Sequence, residues 1–232
     1  MKILKAKTAG FCFGVDRAVK MTYDLVEKGH KVATLGPMIH TPQSLADLAS
    51  RGVLTVDSPE QVPPGYEVVI RSHGVGAEIY DKIHTLGLVC HDATCPFVAK
   101  IHRLARQASD EGAILLVAGD KNHPEVQGIV GHTKGEVFVF ADLAELKEWC
   151  AAQTTFQVKK WLECSEFLKK VYTNGRFFDT ICNATWARQQ EAEDLSQKCD
   201  LMIVIGGHHS SNTQKLAKVA ARYTRAARWR QL

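Results

Sequence analysis

The chain has 232 residues, 29 Lys and Arg against 25 Asp and Glu, ten His and 45% hydrophobic residues, which describes a folded globular protein and excludes a disordered one. Its longest apolar runs, 113–118 and 201–205, are of buried-strand length, so no membrane partner is expected; the basic start has no apolar stretch before Gly10, and a cytoplasmic location is expected. The net charge of +4 is mild and gathers in Arg222, Arg225, Arg228 and Arg230, a terminal run where nucleic-acid binding needs a basic face, so no nucleic-acid partner is expected.

In chain order, Val15, Ala18, Val19, Leu25 and Val26 predict a helix after Cys12, and 31–35 predicts a strand ending at Gly36. A further strand is predicted over 67–71. After Cys95, Val98, Ile101, Leu104, Ala105 and Ala108 repeat the helical period, and 113–118 is a strand ending at Gly119. After Cys182, Ala184, Ala187, Ala192 and Leu195 give a weaker helix, with a strand over 201–205 ending at Gly206. Helices alternating with strands predict an α/β fold with parallel sheets.

The three glycines each stand 24 residues after their cysteine. The four residues before each glycine are apolar at eleven of twelve places, which lowers the odds of coincidence to roughly one in a thousand. The chain therefore reads as three units, 1–94, 95–181 and 182–232. The third is expected to be incomplete, with an atypical Arg-rich end where another helix and strand should follow.

Seven cysteines, an odd and scattered number, argue against a disulfide framework. Cys12, Cys95 and Cys182 each precede a predicted helix, where free backbone N–H groups and the helix dipole stabilise a thiolate. If the units pack about a common axis, the three sulfurs meet, as soft ligands for an iron–sulfur cluster or, less well, for zinc with a fourth ligand. Three cysteines serve [4Fe–4S] and [3Fe–4S] alike.

Four residues beyond each glycine stand His40, His123 and Ser210, the last followed by Ser211 and Asn212; His73 and Thr154 fall on the second strands. Carboxyl ends of parallel strands present ligand-binding groups, and these are mostly neutral donors suited to a phosphate or diphosphate. Glu125 is the one carboxylate of the set; in a pocket with few charges it is expected to hold a proton and to deliver it. The glycines form no dinucleotide fingerprint. Asp16 and Arg17 are read as a helix first turn and a solvated charge.

Eight motifs in order closely resemble the LytB-type 4-hydroxy-3-methylbut-2-enyl diphosphate reductase family: Ala9-Gly-Phe-Cys12-Phe-Gly-Val15, Gly36-Pro-Met-Ile-His40, Arg71-Ser-His73-Gly74, Asp92-Ala-Thr-Cys95-Pro, Asn122-His123-Pro-Glu125-Val, Gln153-Thr154-Thr155, Asp179-Thr-Ile-Cys182-Asn-Ala-Thr185 and Ser210-Ser211-Asn212. The resemblance covers about residues 1 to 221. It implies a trefoil of three α/β units around a [4Fe–4S] cluster held by Cys12, Cys95 and Cys182, one iron being left without a cysteine. It further implies a diphosphate held by His40, His73, Ser210, Ser211 and Asn212, with His123 near the pocket and Thr154 ordering a water or the substrate hydroxyl. Glu125 matches the family's proton donor. The implied reaction is reductive loss of the hydroxyl to give isopentenyl and dimethylallyl diphosphate, in a monomer fed by ferredoxin or flavodoxin. The end of the chain departs from the family's continuation, as a truncated or frame-altered product would. A non-catalytic metal- or phosphate-binding remnant of that family is the alternative reading.

Overall fold

The computed structural model describes residues 2–39, 41–146, 157–171, 176–207 and 209–229. It is built on one motif used three times. Helices α1 (Phe13–Glu27), α4 (Pro96–Asp110) and α7 (Asn183–Ser196) are each capped at the N-terminus by a cysteine, Cys12, Cys95 and Cys182 respectively. Cys12 and Cys182 have extended backbone, and Cys95, with φ −58° and ψ 134°, is likewise non-helical, as an N-cap residue is where the chain turns into a helix. Pro96 at the first position of α4 starts that helix where a missing N–H does no harm.

Each helix returns through a strand: β1 (Val32–Leu35), β5 (Leu115–Ala118) and β7 (Leu201–Ile205). A second helix follows in each case, α2 (Pro42–Ser50), α5 (Pro124–Val130) and α8 (Ser211–Ala220), and then a second strand, β2 (Leu54–Val56), β6 (Val137–Phe140) and β8 (Arg225–Trp229). Every such strand pair is parallel, as a helical crossover requires. Leu54 follows Cys12 by 42 residues, Val137 follows Cys95 by 42, and Arg225 follows Cys182 by 43. The sequence reading did not foresee these strands: Arg225–Trp229, within the end it read as atypical, forms the third copy of β2 and β6.

After β2 the chain adds β3 (Glu67–Ile70), α3 (Ala77–Thr85) and β4 (Cys90–Asp92), giving a four-stranded parallel sheet in the order β2-β1-β3-β4. β1 is buried along its whole length, because Ala18, Leu25, Leu48 and Val53 pack on one face and Ile83 with Leu35 and Val68 on the other. In the sheet β5-β6, α4 and α5 bring Ile101, Ala105, Val126 and Ile129 to one side, and α6 (Val158–Val171) brings Trp161, Cys164 and Leu168 to the other. β7 differs: Leu201, Ile203 and Ile205 are exposed on a single face.

Charged straps join these pieces. Arg17 on α1, read from sequence as a solvated charge, donates through Nη1 to the carbonyl of Thr94 (3.2 Å) and through Nη2 to that of Asp92 (3.3 Å), fixing the loop that leads into Cys95. Arg188 on α7 does the same for the loop into Cys12, donating to the carbonyls of Thr8 (3.0 Å) and Gly10 (2.8 Å). Glu191, one turn along, accepts from the Lys7 and Thr8 amides and the Thr8 hydroxyl. Asp16 stands in the first turn of α1, as expected.

Hydrogen bonds to charged groups contribute about 1.5–3 kcal/mol where solvent is excluded, and less at a partly exposed site. Arg188→Met is therefore expected to lower the unfolding free energy by about 1–2 kcal/mol in urea titration, with the far-ultraviolet spectrum unchanged.

Candidate functional site

Three free thiols stand at three helix N-termini. The sulfur of Cys95 lies against α1, where a Cβ at Gly14 would fall 2.6 Å from it and 2.9 Å from its Cβ. Gly14 is two residues beyond Cys12 and buried, so its missing side chain is the seat of the Cys95 sulfur. Burial raises the Cys95 pKa; the amides of Phe97 and Val98 oppose that, and the electrostatic reach of both Cys12 and Cys182 adds to it. The three sulfurs thus occupy one neighbourhood, as the repeat implied. The bare Cys95 thiol, however, is held toward its neutral form, because burial outweighs the helix amides that were expected to favour the thiolate.

Among the described residues, no three His, Cys, Asp or Glu side chains are grouped tightly enough to hold a single metal ion. A single metal ion needs its ligands grouped more tightly than that, whereas an iron–sulfur cluster carries its own sulfides and so spreads its cysteine ligands farther apart. Cys182 is further tied to Thr185, its sulfur 3.2 Å from the hydroxyl. Cys95 is anchored by its amide, which donates to the Ser72 carbonyl (3.0 Å).

That last bond brings the Ser72-His73-Gly74 turn beside the sulfurs. The rings of His73 and His123 meet edge to face, centroids 5.4 Å apart. His123 caps α5: its Nδ1 accepts from the Glu125 amide (3.2 Å), so Nδ1 carries no proton in that bond and a neutral ring bears its N–H at Nε2. Glu125 itself is 1% exposed in the first turn of the same helix. Ser210 caps α8, its hydroxyl accepting from the Thr213 amide (3.3 Å), with Ser211 and Asn212 in the first turn. Helix N-termini with free amides are ready anion sites. His40 and Thr154 lie outside the described residues.

The sequence reading missed Lys215. It stands on α8 one turn beyond Ser211, within electrostatic reach of Glu125 and Asp120; burial nevertheless pushes its pKa down to about 8. Glu125 thus has a cation of α8 within electrostatic reach. The only signal in the sequence was the i, i+4 spacing from Ser211, which says nothing about which element that face meets.

A second unforeseen cluster supports the turn from below. His102 on α4 packs under Gly74, where a Cβ would lie 2.5 Å from its Cε1 and where φ is +69°. Its ring is 4.2 Å from that of His132, and Arg106 donates to His132 Nδ1 at 3.0 Å. Both imidazoles are 4% exposed.

The protein-family model described as LytB protein matches residues 3–229. The chain belongs to the LytB family. The match runs past residue 221, where the resemblance was expected to stop, and takes in β8. A 4-hydroxy-3-methylbut-2-enyl diphosphate reductase from Thermoanaerobacter sp. (strain X514) is 43% identical over 230 residues, covering 94% of this chain and 80% of the relative. The protein of that name from Syntrophotalea carbinolica (strain DSM 2380 / NBRC 103641 / GraBd1) is 42% identical over 227 residues, covering 94% and 81%. A solved structure of (E)-4-hydroxy-3-methyl-but-2-enyl diphosphate reductase, the terminal enzyme of the non-mevalonate pathway, superposes with a TM-score of 0.73 at 35% identity, covering 97% of this chain and 84% of that one. The E-1-hydroxy-2-methyl-but-2-enyl-4-diphosphate reductase from Plasmodium falciparum superposes at 0.87 with 25% identity, covering 94% and 73%. No helix of the described residues is long and apolar enough to cross a membrane.

Two outcomes follow for this LytB-family site. Gly14→Ala drives a methyl into the Cys95 sulfur and is expected to abolish iron retention on anaerobic reconstitution. Gly135→Ala, whose Cβ would meet nothing closer than 3.8 Å, retains it; iron and sulfide assay checks both. The His102 pKa is lowered to about 3, first by burial and then by the His132 and Arg106 charges, with Asp92 opposing. The folded state holds it neutral while the unfolded chain protonates it below about 6.5. Stability is thus fully present above pH 6.5 and declines as pH falls toward 3, a slope that His102→Gln is expected to flatten in urea titrations at stepped pH.

Proposed function

We propose that this chain is a 4-hydroxy-3-methylbut-2-enyl diphosphate reductase, taking two electrons and two protons to convert its hydroxy-allyl diphosphate to isopentenyl and dimethylallyl diphosphate and water. The observation that carries this reading is the gathering of three cysteine-capped helices, with the Cys95 sulfur seated on Gly14; Glu125, buried in the first turn of α5, adds to it. Cys12, Cys95 and Cys182 would hold a [4Fe–4S] cluster. When bound, such a cluster supplies electrons singly and an iron without a cysteine that acts as a Lewis acid.

The remaining chemistry belongs to side chains. His73 and the α8 N-terminus, with Ser210, Ser211 and Asn212, hold the diphosphate, joined by His40 and assisted by His123. Such donors fix the substrate's position, which is worth more to the rate than its affinity alone. Glu125, shielded from solvent and placed by the His123 cap, holds the proton delivered as the hydroxyl leaves or as the new C–H bond forms. Thr154 orients the hydroxyl or a water. A soluble donor of the ferredoxin or flavodoxin class, in the cytoplasm, would supply electrons to a monomer.

Anaerobically reconstituted protein is expected to be brown with about four iron per chain, and Cys12→Ser, Cys95→Ser or Cys182→Ser to lose that colour. With reduced viologen as electron source, product assay is expected to detect both pentenyl diphosphates. Glu125→Gln should keep the visible spectrum and lower kcat by about a hundred- to ten-thousandfold. A colourless protein after reconstitution, or a loaded one without turnover, overturns the assignment.

A further inference from the structure

Arg71 follows β3 directly and precedes the Ser72-His73-Gly74 turn. Its side chain reaches across to the end of the neighbouring strand β1 and lies on Gly36, where a Cβ would fall 2.7 Å from Nη1, 2.8 Å from Cζ and 3.1 Å from Nη2. Gly36 has φ of +72° and opens the stretch that leads to His40, so glycine serves both the turn and the guanidinium. The cation therefore sits between Gly36 and the Ser72-His73-Gly74 turn, at the carboxyl ends of adjacent parallel strands.

Among the described residues no acidic side chain compensates it. Arg71 Nε is wholly enclosed without a hydrogen-bond partner. Burial accordingly lowers its pKa, with no neighbouring acid to oppose the shift. The other arginines that reach into this region are satisfied: Arg17 and Arg188 by carbonyls, Arg106 by His132. A half-buried charge left without an anion is costly, and an anionic ligand is what repays that cost. The pocket's other donors are neutral, whereas a diphosphate brings several negative charges.

We propose that the Arg71 guanidinium is the cationic contact for the substrate's diphosphate, reached from between Gly36 and the His73 turn. This deepens the reading above and rests on it. Arg71 acts on binding rather than on bond making: the charge it meets is the same before and after the hydroxyl leaves, so it lowers KM and leaves kcat nearly untouched.

Calorimetry of the holoprotein with inorganic diphosphate tests the contact, alongside turnover with the hydroxy-allyl diphosphate. Arg71→Met is expected to weaken diphosphate about ten- to a hundredfold and to raise KM similarly at nearly constant kcat, while Arg71→Lys recovers part of the loss. Weakening of diphosphate by added salt should be shallower in Arg71→Met than in the parent protein. Because the methionine variant can fail to fold, the unaltered protein is also labelled with phenylglyoxal and mapped by mass spectrometry; bound diphosphate is expected to protect Arg71. Diphosphate affinity unchanged in Arg71→Met, or Arg71 labelled equally with and without diphosphate, overturns the proposal. Failure of the unaltered holoprotein to bind diphosphate or to turn over overturns the parent reading instead.

Discussion

The structure depends on where a cysteine sits relative to a helix. An N-cap residue has extended backbone, its side chain faces the helix's unpaired amides, and the helix axis fixes where that side chain points. Repeating this at Cys12, Cys95 and Cys182 puts a sulfur at the start of each of three helices, but a shared position alone does not make them meet. The cross-unit straps and the Gly14 seat do that. Arg188 and Glu191 of α7 hold the loop into Cys12, Arg17 of α1 holds the loop into Cys95, and the Cys95 sulfur drops into the space where Gly14 has no side chain. Each cysteine-capped helix of those two therefore positions the next cysteine as well as its own.

The part of this legible in sequence is the part written in local pattern. Apolar strands preceded by amphipathic helices and ended by glycine repeat at a fixed spacing, and α1, α4, α7 and β1, β5, β7 fall where that spacing put them. The second strands did not show. β2 is three residues long, and β8 carries Arg225 and Arg228 on a strand with one neighbour, so neither needs the apolar run that marks a buried strand. The resemblance placed the chain in its family from motifs that include the three cysteines and Glu125. Arg17, Arg71, Lys215 and His102 were invisible because what distinguishes each is a partner, or a missing one, on an element far away in sequence.

Burial works in opposite directions on these groups, and the difference sorts them. At His102 it enforces the neutral ring, which can then pack under Gly74 and beside His132 as an apolar prop for the His73 turn. At Cys95 it likewise favours the neutral thiol, a state that ligation to iron would reverse, since the metal supplies the positive charge that the empty pocket lacks. Arginine has no neutral state within reach, so at Arg71 the same desolvation leaves a cation in place. Fixed charge is thus found under the His73 turn, and titratable groups where packing, or in the proposed enzyme a metal, decides their state.

That arrangement answers a conflict inherent in the proposed chemistry. A thiolate-bound cluster and a diphosphate are both negative, and holding them in one pocket requires positive charge that does not itself coordinate iron. Each helix N-terminus contributes roughly half a charge, at Cys12, Cys95 and Cys182 toward the sulfurs and at the starts of α5 and α8 toward the remainder of the pocket. Partial charges of that size suit a cluster whose electron count changes, because they neither titrate nor move. The diphosphate, whose charge stays constant through the reaction, is better served by the full charge of Arg71 with neutral donors around it. Lys215, on the helix that Ser210 caps, lies within electrostatic reach of Glu125, so the carboxyl assigned the proton in the proposed reaction also has a cation near it, held down by burial.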